Sequence, residues 1–198
     1  MLKMRIKIIL SLLLGIGFIN NQFSAPMNLI LSSGSAGISN QLASIQPNAQ
    51  VSEMIMMVDQ ERILTDLRRL TGEEPICTQN GCYSITGRET GSEGLQWAKD
   101  YIYEQLVNLG YHVEIQDWEM QGYADQNLIT RRRGIISPGE EILFIAHMDG
   151  YLDNNPAADD DASGVVCLLE LARILREQHL TRTIVFIFST GEEHGSLG

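Results

Sequence analysis

EILFIAHMDGYLDNNPAADDDASGVVCLLELARILREQHLTRTIVFIFSTGEE, residues 141–193, decides the fold of this chain. It opens on an apolar run, Ile142-Leu143-Phe144-Ile145-Ala146, of the length of a strand. A helix over about residues 163–178 follows, burying Val166, Leu169 and Leu175 on one face. Residues 183–189 make a second strand, apolar on both faces and therefore central in its sheet. Strand, helix and strand in that order read as a βαβ unit in an α/β domain. In such sheets ligands gather beyond the carboxyl ends of the strands. Three acidic clusters fall at that rim: His147-Met148-Asp149, Asp159-Asp160-Asp161 and Glu192-Glu193.

Carboxylates packed this densely repel one another and resist burial unless a positive group sits among them. Each cluster also has an ordinary explanation. The Asp triplet could simply complement the positive end of the following helix, and adjacent glutamates often form a solvated turn. Those explanations treat the clusters as independent and leave their shared rim unexplained, so a divalent metal accounts for them better. Calcium fits poorly, because the spacing is not that of an EF-hand loop and an imidazole is foreign to calcium. His with carboxylates favours zinc, with manganese and cobalt as alternatives.

Working outward, a helical stripe begins at Val58 and runs through Ile63, Leu64, Leu67 and Leu70 until Thr71-Gly72. After a polar loop, a second helix spans about residues 92–109, with Ser92 as N-cap and Gly110 as stop. Residues 111–116 alternate as a half-exposed strand does. Residues 127–130 and 141–146 flank a Pro138-Gly139 turn signal and pair most simply as a hairpin. Arg131, Arg132 and Arg133 form a solvated face, and His112 and His179 have no assigned role.

Lys3, Arg5 and Lys7 lead into an apolar stretch at residues 8–19, the pattern of a secretory signal ending near Ala25, with a retained membrane anchor as the alternative. Residues 26–52 are a polar linker or pro-segment, and residues 53–198 the folded domain. Loss of the three basic residues takes the net charge from −11 to −14, which argues against nucleic acid or an anionic membrane as partner. Cys77 and Cys82 are close enough to be bridged outside the cytosol, and Cys167 reads as a buried small apolar residue.

The motifs His147-Met148-Asp149, Pro156-Ala157-Ala158-Asp159-Asp160-Asp161-Ala162-Ser163-Gly164 and Glu192-Glu193-His194-Gly195-Ser196-Leu197-Gly198 closely resemble those of the co-catalytic zinc exopeptidases. That family includes bacterial leucyl aminopeptidase, aminopeptidase S and plasma glutamate carboxypeptidase. Gly87-Arg88-Glu89-Thr90-Gly91-Ser92-Glu93-Gly94 resembles the family's entry segment, so the likeness covers about residues 58–198. It implies a three-layer αβα fold with a mixed, mostly parallel central sheet, truncated after the Glu-Glu motif. It further implies two zinc ions, with His147 on one, Glu193 on the other and Asp160 bridging them. Asp149 would accept the second N–H of His147. Glu192 would be the general base. A non-proline cis peptide is expected after Asp160, and His194 lines the pocket or begins a helix rather than ligating. Members of the family supply one more Asp and one more His from later segments, so this polypeptide alone is expected to bind zinc weakly and to be inactive. The implied activity is an exported aminopeptidase acting on peptides. The alternatives are a carboxypeptidase- or dipeptidase-like exopeptidase, a glutaminyl cyclase, or a non-catalytic binding module of the same fold.

Overall fold

A computed structural model describes residues 48–152 and 154–198. The expected signal at residues 1–25 and residues 26–47 of the expected linker lie outside the described residues. The last part of that linker is helical instead: α1 (Ala49–Met56) buries Val51 and Met54, and Asn48 caps it by accepting from the Gln50 amide. In α2 (Gln60–Leu70) Asp59 is the cap, accepting from the Arg62 amide. A short hairpin, β1 (Ile76–Thr78) and β2 (Gly81–Tyr83), places Cys77 opposite Cys82, and the two form a disulfide. Tyr83 stacks on Trp97 of α3 (Glu93–Asn108), whose N-cap is Ser92 as expected. Gly94 is required in that first turn, since a Cβ there would lie 2.0 Å from the Gly87 carbonyl oxygen.

The main sheet contains β3 (Val113–Met120), β4 (Tyr123–Arg132), β5 (Ser137–His147) and β6 (Arg182–Ser189), in the order β3-β4-β6-β5. Strands β5 and β6 are parallel and joined through α4 (Ser163–Leu175), so the expected βαβ unit is present and β6 is internal. The expected hairpin between residues 127–130 and 141–146 is not formed. Strand β4 pairs with β3 on one side and β6 on the other, both antiparallel, and β5 meets only β6. The true hairpin is β3-β4, turned by Gln121 and Gly122, both at positive φ as a two-residue type I′ turn requires. Pro138-Gly139 is not a turn but the irregular start of edge strand β5, where a missing N–H costs little. The sheet is thus mixed, with one parallel pair among these four strands.

Phe144, Phe186, Phe188 and Leu128 point to the face covered by the helices and join the core with Leu95, Ile102, Leu106, Val166 and Leu169. On the opposite face Leu143 and Ile145 are exposed. Cys167 packs against the core but is only half-buried. Glu170, buried in α4, accepts from the Asp59 amide at 2.7 Å and pairs with Arg173, fixing the start of α2 to α4. No helix among the described residues is long and apolar enough to cross a membrane.

Candidate metal centre

Strand β5 ends at His147, and β6 ends at Ser189, its direct partner in the parallel register. Two loops therefore leave the sheet side by side. The one from β5 runs on to α4 through a π-type turn, Ala158–Ala162, with a cis peptide between Asp160 and Asp161.

That turn divides the acidic triplet. Asp161 faces the helix: its Oδ1 accepts from the Gly164 amide at 2.9 Å and its Oδ2 from the His147 amide at 3.3 Å. A Cβ on Gly164 would come 2.3 Å from Asp161 Oδ1, so the glycine makes room for this capping carboxylate. Asp160 is exposed and faces His147, with its Oδ1 3.1 Å from Nε2. The ordinary helix-end explanation is thus correct for Asp161, leaving Asp160 to the rim.

Glu192 and Glu193 arrive from a tight turn after β6. Buried Thr190 anchors it, donating its amide to Asn127 Oδ1 at 2.9 Å and accepting from Trp118 Nε1 at 2.8 Å. Each of His147, Glu192 and Glu193 offers one ligand atom, all within 4.8 Å of one another. Both glutamates reach the group, so the division of ligand and base between them rests on the family resemblance and not on distance. His194 stands outside it, stacked on Tyr123 with ring centroids 4.1 Å apart.

Asp149 ties the group together from beneath. Fully buried, it accepts through Oδ2 from the Glu193 amide at 3.2 Å and from Thr90 Oγ1 at 3.3 Å. Its Oδ1 lies 3.5 Å from His147 Nδ1, an ion-pair distance, and has no hydrogen-bond partner. At hydrogen-bond distance from Nδ1, 3.1 Å, is the Asp149 main-chain carbonyl and not the expected carboxylate. The sequence places Thr90 and Arg88 in the entry segment but assigns neither a role, and Arg88 is buried in the same loop region.

The charges respond to this crowding. Burial alone would push the His147 imidazole down, but Asp149, Asp161 and Asp160 outweigh it and raise its pKa to about 9. Partial burial, then the Asp160 charge, raise Glu193. Burial pushes the Arg88 guanidinium down to about 10, against Asp149 and Asp161. An imidazole among carboxylates is a nitrogen and oxygen donor set that suits zinc. The buried, unpartnered Asp149 oxygen beside His147 marks a negative centre that a cation at the imidazole would offset. The residues present fit the metal.

Comparison with known proteins agrees with that donor set. Residues 127–198 match the model of Peptidase family M28. That stretch is similar to the M28 peptidases. A protein named "Probable zinc metalloprotease" from Pyricularia oryzae is 26% identical over 184 residues, 83% of this chain and 36% of the relative. The structure of LapB from Legionella pneumophila is 28% identical with a TM-score of 0.60, covering 78% of this chain and 41% of that one. Glutaminyl cyclase from Porphyromonas gingivalis is 26% identical with a TM-score of 0.54, over 72% of this chain and 49% of that one. The likeness to LapB agrees with the α/β fold and the mixed sheet. The chain spans about a third of the length of the metalloprotease relative.

Proposed function

We propose that this chain supplies the metal-binding rim of an exported zinc exopeptidase, an aminopeptidase that releases N-terminal residues from peptides. The observation that carries the reading is the meeting of His147 with both glutamates, inside the residues that match the M28 model. His147, Asp160 and Glu193 would hold the zinc. Bound zinc would supply Lewis acidity towards the scissile carbonyl and an activated water. Glu192 would serve as the general base, its carboxylate carrying the proton that passes to the leaving amine. Its half-exposed carboxylate, with Oε2 4.0 Å from His147 Nε2, leaves it open to substrate. Asp149 holds His147 and Glu193 in place from below. Export is supported by the basic-then-apolar start of the chain and by the Cys77–Cys82 bridge, which suits an oxidising compartment.

Unblocked, N-acetylated and N-terminal glutaminyl peptides separate the activities. In a longer protein that carries this chain with the remaining ligands, free amino acids should appear from unblocked peptides alone, and a chelator should stop their release. Release from the carboxyl end would favour a carboxypeptidase, and cyclisation of the glutaminyl peptide would favour a cyclase, the reading raised by the Porphyromonas likeness. Glu192→Gln should retain zinc and lose about 10²–10⁴-fold in turnover. Full activity in that variant would remove Glu192 as the base.

A further inference from the structure

Arg88 lies before α3, far in sequence from both loops of the metal centre, and is 1% exposed. Its guanidinium donates to four carbonyls. Nε reaches Met148 at 2.7 Å, Nη1 reaches Leu70 and, at 3.0 Å, Pro156, and Nη2 reaches Ala157 at 3.1 Å. Its own carbonyl accepts from the Gly150 amide at 2.9 Å. Met148 stands between His147 and Asp149, and Ala157 directly precedes the turn that carries Asp160. One rigid, planar fork therefore holds both ends of the β5–α4 loop at once and fastens them to the end of α2. A lysine offers donors from a single point and cannot span such a set. A cation that merely neutralised Asp149 and Asp161 would need no such array of carbonyls.

We propose that Arg88 is a positioning residue for the metal centre, setting the separation of His147 and Asp160 through the Met148, Pro156 and Ala157 carbonyls. The consequence for zinc rests on the function proposed above, whereas the fixing of the two ends of the β5–α4 loop does not.

The test compares the purified chain with Arg88→Lys, and with Tyr111→Phe as a buried substitution whose hydroxyl bonds the Ala172 carbonyl, near the end of α4 away from the rim. In metal-free protein, amide hydrogen exchange over residues 147–162 should quicken in Arg88→Lys and stay unchanged in Tyr111→Phe. Competition with a chromophoric chelator should show zinc affinity falling about 10- to 100-fold in Arg88→Lys. The remote variant should stay within about twofold. A folded Arg88→Lys protein with unaltered exchange over those residues would overturn the inference. If the unsubstituted chain takes up no zinc, the exchange result alone decides the role of Arg88. If Arg88→Lys does not fold, Arg88→Ala is refolded in dilute guanidinium. Recovery with guanidinium and not with ammonium supports the fork, and equal behaviour in the two salts overturns it.

Discussion

At the scale of single residues, the centre is governed by what a buried carboxylate does to its neighbours. Asp149 reaches the Glu193 amide, Thr90 and the side of His147 at once, linking residues 44 and 59 positions apart in the chain. Asp149→Asn keeps the shape but removes the charge and half of the acceptor capacity, so zinc affinity should fall about 10- to 100-fold by chelator competition. The raised pKa of His147 gives a second expectation. Folded without metal, the imidazole is protonated at pH 7, and zinc must displace that proton. Uptake should release about one proton per imidazole-bound ion at pH 7, and the release should vanish as pH rises past about 9. Titration calorimetry in buffers of different ionisation enthalpy reads it directly, and zero release at pH 7 would mean that His147 is not held protonated in the metal-free fold. His147, Asp160 and the two glutamates were legible because each sits where an apolar run or a helix ends. Arg88 and Thr90 were not: Arg88 binds main-chain carbonyls, which carry no sequence signature, and the partner of Thr90 lies in another segment.

At the scale of elements, hydrophobic pattern sufficed wherever an element was long and regular. Helices α2, α3 and α4 begin at or within two residues of their expected starts, and β6 is as central as its two apolar faces require. Pairing was harder, because a sequence pattern marks a strand but not its neighbour. The Pro138-Gly139 signal was taken for a turn, whereas Gln121-Gly122 makes the tight one. The residues on each side of that glycine pair across β3 and β4, so Gly122→Val should destabilise the hairpin that holds Trp118 against Thr190. The β1-β2 hairpin invites a cleaner measurement. Its disulfide closes a loop of five residues, for which chain entropy gives about 2 kcal/mol. Reduction, or Cys77→Ser with Cys82→Ser, should lower unfolding free energy by about that amount in urea. Helix α3, against which the hairpin packs, is where loosening should be felt first.

For the molecule as a whole, one sheet face and one sheet edge govern behaviour in solution. Among the described residues strand β5 has a partner on one side only, and on its outer face Leu143 and Ile145 are 50% and 59% exposed. Ile135 and Ile136, just before it, are exposed as well. An open strand beside apolar side chains is a template for another chain, and the devices that usually blunt it are here limited to Pro138 and the acidic pair Glu140 and Glu141. Opposing association is the net charge of −11, whose repulsion weakens as salt screens it. The 198-residue chain should therefore self-associate more as ionic strength rises, the reverse of assembly through salt bridges. Ile145→Lys places a charge on the outward face of the edge strand without touching the buried Phe144 or Ala146, and should return the chain to monomer at high salt. Sedimentation velocity at low and high ionic strength checks both expectations. Association that persists unchanged in Ile145→Lys would move the contact away from β5.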